Sequence, residues 1–214
     1  VAPYPGEKQT EKFGGKMDVP EEVRRSWNAG ASIAHLHVRD EEGNQTTDPT
    51  IFQRDVERIR STCSIIIEGS TGGAPEHTLQ ERCISFRVRG VEMGSLNLGS
   101  INMFGGVYQN PMSDMRYYAQ ELKQRGIKPF FCVFDLSMFY NAKRLGKEGL
   151  ISPPYVYSFI FDVPDALPFS KKSLDIFLEH LPKRSHWFLT RHHAKGWKDF
   201  RLALERGGHV RVGY

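Results

Sequence analysis

The residues in this chain best suited to chemistry are two histidines one residue apart, in the run Ile33-Ala34-His35-Leu36-His37-Val38-Arg39-Asp40. The run has the composition of a buried strand. Residues two apart in a strand project to the same side, so His35 and His37 would offer two imidazoles to one face while Ala34, Leu36 and Val38 take the other. Such a pair can begin a metal site, or it can be two satisfied core histidines, because a metal asks for a third ligand. Ser70-Thr71-Gly72-Gly73 follows another apolar run. Its hydroxyls and backbone N–H groups suit an oxyanion or a phosphate, and a plain structural turn is the competing reading. By the same alternation Ser95 and Asn97 share a face at the end of the fourth predicted strand, and His209, Arg211 and Gly213 share one in the last. An arginine in that setting needs an anionic substrate or a carboxylate partner in a structural salt bridge.

Positioning these groups calls for elements that end on one rim. Apolar strands are predicted at Val1–Tyr4, Ser32–Val38, Ser64–Ile67, Val91–Leu96, Lys128–Phe134, Tyr155–Phe161, Trp187–Thr190 and His209–Tyr214. Helices alternate with them: from Asp18 and Pro20 to Gly30, around Ile51–Ile59, from Pro75 to Phe86, around Met115–Leu122 and ending near Gly126, then Met138–Leu145, Lys172–Leu181 and Trp197–Leu204. The segment from Asn97 to Pro111 is expected to be a Gly- and Asn-rich loop. Strands and helices alternating every ~25–30 residues are the signature of parallel βα units, so the expected fold is α/β, a (β/α)8 TIM barrel. No Gly-x-Gly-x-x-Gly follows the first strand, which disfavours an open dinucleotide-binding sheet.

The 214 residues, 39% of them hydrophobic, suit one domain with a substantial core. No apolar run reaches the ~20 residues of a membrane span, and there is no signal-peptide pattern at the start. Three widely spaced cysteines support neither a disulfide framework nor a zinc knuckle, so a reducing, cytoplasmic setting is expected. The net charge of +4 is spread thinly, so no nucleic-acid partner is expected, although a mild positive bias helps attract an anionic substrate. The chain opens on Val1 inside an apolar segment and closes on Tyr214 inside another. Residues 1–214 are therefore expected to be one barrel domain truncated at both ends and lacking its last helix.

Five ordered motifs together resemble the β-keto acid cleavage enzyme family, typified by the 3-keto-5-aminohexanoate cleavage enzyme. They are Ala29-Gly30-Ala31 running into the histidine strand, Ser70-Thr71-Gly72-Gly73, Glu92-Met93-Gly94-Ser95-Leu96-Asn97-Leu98-Gly99-Ser100, Gly126-Ile127-Lys128-Pro129, and Gly207-Gly208-His209-Val210-Arg211-Val212-Gly213. The resemblance implies a (β/α)8 barrel, usually a homotetramer, that turns a β-keto acid and acetyl-CoA into acetoacetate and a new acyl-CoA. It implies a Zn(2+) held by His35, His37 and a glutamate just beyond the last motif. It makes Arg211 the arginine that works with a catalytic aspartate, and Ser70 and Ser95 the hydroxyls that hold substrate or intermediate oxygens. Glu7 stands where the amino-substrate type has a glutamate for the substrate amine, and Gly72, Gly73 and Asn97 complete the substrate-binding set.

The departures from the pattern are specific. The implied glutamate and aspartate would lie past Tyr214. Phe130 and Cys132 stand in the fifth strand where the family commonly has acidic residues, and Thr190-Arg191-His192-His193-Ala194-Lys195 replaces a glycine-rich stretch. That basic segment would either meet CoA phosphates or form a solvated loop. Two further readings stay open: a metal-dependent aldolase or hydrolase on the same barrel, and a family member that binds ligand without turnover.

Overall fold

A computed structural model describes residues 1–2, 17–72 and 76–213. Glu7 and Gly73, both expected in the substrate site, lie outside the described residues. The chain divides into two compact units, the first comprising residues 1–95, 124–128 and 212–214, the second residues 96–123 and 129–211.

In the first unit, helix α1 (Val19–Asn28) starts where Asp18 accepts from Glu21 N and Pro20 presets the first turn, and it stops before Gly30 at φ +99°. It precedes strand β1 (Ile33–Leu36). Helix α2 (Thr50–Thr62) buries Phe52, Val56 and Ile59, which recur at helical spacing. Asp18 at the head of α1 takes Arg58 of α2 at 2.7 Å. Strand β2 (Ile66–Gly69) follows and pairs with β1 in parallel, with Ile33 opposite Ile66 and His35 opposite Glu68. Strand β3 (Met93–Asn97) begins here and pairs with β2, Glu68 opposite Met93.

Of the expected first strand, Val1–Tyr4, the two described residues make backbone pairings to both sides. His35 N donates to Val1 O at 2.8 Å, Ala2 N donates to Val212 O at 2.9 Å, and Ala2 forms a parallel bridge with Gly213. A Cβ on Gly213 would collide with the Ala2 carbonyl, so glycine is required for that approach. Between β2 and β3 the sequence predicts one helix from Pro75 to Phe86. The described part is instead a single α-helical turn, α3 (Leu79–Arg82), closed by a Thr78–Glu81 capping box, and then a 3-10 turn over Ile84–Arg87.

The second unit contains an element that the sequence reading took for loop. Strands β4 (Ile101–Met103) and β5 (Gly106–Tyr108) form an antiparallel hairpin turned at Phe104-Gly105, both at positive φ. Helix α4 (Met112–Gln124) buries Met115, Tyr118, Ala119 and Leu122, the predicted stripe. Then come β6 (Lys128–Val133), α5 (Ser137–Lys147), β7 (Tyr155–Phe161), α6 (Lys171–His180), β8 (Ser185–Arg191), α7 (Lys198–Glu205) and β9 (His209–Arg211). Within the unit β6, β7, β8 and β9 pair in parallel, in sequence order. This is the alternation of a (β/α)8 chain.

The two faces of these strands differ in what covers them. Tyr157, Phe159 and Trp187 share one face and pack with Phe139 of α5 and Phe177 of α6; Phe159 stacks on Trp187 at 5.4 Å and meets Phe177 edge-on at 5.4 Å. Gly208 lies against the Trp187 ring, leaving no room for a Cβ. Cys63, Cys83 and Cys132 are buried and none is disulfide-bonded. Among the described residues no helix is long and apolar enough to cross a membrane.

Candidate active site

The histidine strand behaves as its alternation predicts. His35 Nε2 and His37 Nε2 approach to 3.1 Å, so both imidazoles occupy one face, their rings near-perpendicular at 77°. Ala34 and Leu36, on the other face, are buried in the core. Register then supplies a residue that the sequence reading did not single out. Because His35 pairs with Glu68 across β1 and β2, their side chains stand together, and Glu68 Oε2 lies 2.8 Å from His35 Nδ1. Both are deeply buried, His35 at 7% exposure and Glu68 at 1%. A sequence signal existed, a lone acid closing the apolar run Ile65–Ile67, but only the register says which imidazole it meets.

The pair fits part of a metal site. Two nitrogens bound to one tetrahedral zinc at ~2.0–2.1 Å lie roughly 3.3 Å apart, close to the observed separation. The second nitrogen of His35 is held by a carboxylate, the usual outer support of a ligating imidazole. Two imidazoles are only part of a coordination sphere. Among the described residues no cluster of three or more His, Cys, Asp or Glu is arranged to hold a metal, and Glu68 meets the far flank of the His35 ring.

Ser70 and Ser95 close the same region of the first unit. Ser70 Oγ accepts from Gly72 N at 2.9 Å, forming a turn, and Ser85 Oγ donates to Ser70 O at 3.0 Å. Ser95 Oγ accepts from Thr71 N at 2.8 Å and lies 3.2 Å from Thr71 Oγ1. Arg82 Nε donates to Thr71 O at 3.1 Å. Both serines therefore shape the turn, while a hydroxyl that accepts a backbone N–H keeps its own proton for another oxygen. Gly72 runs against His37: a Cβ there would sit 3.0 Å from His37 Cε1 and from Ser70 Oγ. The turn and the imidazole are packed as one object.

The remaining expected residues belong to the second unit. Asn97 is buried and its Nδ2 donates to Tyr108 Oη at 3.3 Å, tying the end of β3 to the hairpin. Arg211 is half-buried opposite Thr190, and among the described residues no carboxylate pairs with it. The Arg211 charge, behind the larger effect of burial and ahead of that of His193, holds the His192 pKa below the ordinary imidazole value.

Arg191, the first basic residue of the segment 190–195, is held in an ion cluster. Its guanidinium bridges Asp162, at 2.5 Å, and Asp199, and lies over the Phe169 ring at 4.5 Å. Asp135, at the end of β6, is likewise occupied, accepting from Ser137 N at 2.8 Å.

Residues 17–214 match the family model described as beta-keto acid cleavage enzyme. The 3-keto-5-aminohexanoate cleavage enzyme of Fusobacterium nucleatum is 35% identical over 200 residues, covering 92% of this chain and 72% of that protein. The 3-oxoadipate:acetyl-CoA acetyltransferase of Cupriavidus necator is 32% identical over 197 residues, 90% of this chain and 69% of that one. Among solved structures, apo ObcA superposes with a TM-score of 0.70 at 18% identity over 91% of this chain, a likeness of fold. This chain spans 54% of the ObcA chain, about half its length.

Proposed function

The chain belongs to the beta-keto acid cleavage enzyme family, and from that premise we propose that it cleaves a β-keto acid with acetyl-CoA, giving acetoacetate and a new acyl-CoA. The observation that carries this reading is the convergence of His35 Nε2 and His37 Nε2 beside the Ser70–Gly72 turn. Zinc is the metal proposed for the two imidazoles, with its third protein ligand outside the described residues. When bound it would act as a Lewis acid toward the oxygens of the β-keto acid, easing loss of the proton between them.

The chain's own residues have distinct tasks in this proposal. His35 and His37 hold the ion. Ser95, whose hydroxyl is fixed by Thr71 N, and Ser70, fixed by Gly72 N, offer protons to oxygens that gain charge. Arg211 is proposed to orient a carboxylate base, and Asn97 and Gly72 to line the substrate. Glu7 and Gly73 keep the substrate-binding roles implied by the resemblance. A homotetramer working in the cytoplasm completes the proposal.

A second reading, ligand binding without turnover, is favoured by one observation: Phe130 and Cys132 are buried apolar side chains in the fifth-strand positions noted above. Incubating the purified protein with zinc, acetyl-CoA and a panel of β-keto acids decides the matter. Acetoacetate that appears only with the thioester supports the acyl-transfer reading. Product without acetyl-CoA would favour an aldolase or hydrolase, and zinc uptake without any product would favour the silent binder.

A further inference from the structure

We propose that Glu68 is a positioning residue, which fixes His35 as the tautomer protonated on Nδ1 and so presents a bare Nε2 beside His37. The functional half of this inference rests on the metal reading above. The geometry is specific. Glu68 Oε2 and His35 Nδ1 are 2.8 Å apart, whereas the His35 nitrogen facing His37 is Nε2, on the opposite flank of the ring.

The parallel register explains why this contact is built in rather than incidental. Residue 68 stands directly across from residue 35, and both lie in the ordered middle of paired strands, not on loops. A carboxylate at 1% exposure is costly to desolvate, and a charge-assisted hydrogen bond offsets part of that cost. One partner of Glu68 is the nitrogen whose proton determines what the other nitrogen can bind. With Nδ1–H donated to Glu68, His35 Nε2 has a lone pair for an electrophile and can accept from His37 Nε2–H when none is bound. The carboxylate also makes the imidazole a more basic ligand. Glu68 thus acts through His35 and needs no contact with substrate.

The test compares wild type with Glu68→Gln and Glu68→Leu, each first checked for a cooperative thermal transition. Nitrogen-15 NMR of the zinc-free protein reads the His35 tautomer directly. Wild type should show a protonated Nδ1 and a bare Nε2. Glu68→Gln, whose amide oxygen still accepts, should keep that pattern, while Glu68→Leu should move the proton to Nε2. A buried residue with a packing role alone would not move it. Zinc affinity, measured by chelator competition, should fall by roughly 10–100-fold in Glu68→Leu and less in Glu68→Gln. An unchanged tautomer, or zinc affinity within twofold of wild type in Glu68→Leu, overturns the proposal. A wild-type protein that takes up no zinc overturns the metal reading instead, and the tautomer experiment still decides what Glu68 does to His35.

Discussion

The strands of the two units differ in what they carry on the faces that bear the expected site residues. In the first unit the face with His35 holds Ile33, Ile66 and Met93 and then, toward the carboxyl ends of the strands, the polar His37, Glu68, Ser70 and Ser95. In the second, the face with Arg211 holds Thr190, Phe188, Ser158, Cys132 and Phe130. There Phe130 meets Phe188 at 5.3 Å, Phe188 meets His209 at 4.9 Å, and the buried hydroxyls of Ser158 and Thr190 pair at 2.8 Å. Burying polar groups costs free energy unless they are paired. The first unit bears that cost at His35, Glu68, Ser70 and Ser95, and the second fills the face beside Arg211 with Phe130, Cys132 and Phe188. Substitutions at His35 and His37 are therefore expected to act on zinc binding, and substitutions at Phe130 on stability.

The strongest test of the contrast is His37→Ala. It removes one proposed ligand without stranding the buried Glu68, so zinc retained after dialysis should be lost while the thermal transition survives. Full zinc content in that variant would erase the functional half of the contrast. Next in size is Phe130→Ala, expected to cost about 3–5 kcal/mol of stability as a large-to-small core change. Denaturant unfolding should show that loss with zinc content unchanged; a stable variant with altered zinc content would reverse the assignment of roles.

The smallest effect concerns His192. Its pKa lies below the ordinary 6.5 because burial, then Arg211, then His193 disfavour the imidazolium. The unfolded chain therefore takes up this proton first as the pH falls. The stability linked to His192 is complete above pH 6.5 and declines as acidification proceeds through 6.5 toward the lower folded-state value. His192→Gln should flatten the melting temperature over that window, and Arg211→Gln should raise the pH at which the decline levels off and so make the decline smaller. An unaltered pH profile in both would remove the electrostatic link between the ends of β8 and β9.

The parts of this molecule legible in its sequence are those set by local periodicity. Alternation placed His35 and His37 together, and helical spacing identified the buried stripes of α2 and α4. Glu68 escaped because its role depends on register, a relation between strands that no single segment encodes. The β4–β5 hairpin was hidden by its brevity: three residues a side around Phe104-Gly105 leave too little alternation to separate strand from loop. Arg191 was misplaced for a related reason. Its partners Asp162 and Asp199 lie 29 and 8 residues away, so a basic run looked solvent-facing although its first member is bound in an ion cluster. The sequence predicts one helix from Pro75 to Phe86, whereas the α-helix that Thr78 and Glu81 cap stops after one turn.

The three buried thiols give the protein a built-in clock. Cys63 ends α2 and Cys83 ends α3, both in the first unit, whereas Cys132 lies in β6 of the second. A thiol reagent in excess can modify each only when its own segment opens, because a buried cysteine is shielded from attack. Site-resolved labelling rates would therefore time the opening of each unit in the unmodified protein, with no reporter group introduced.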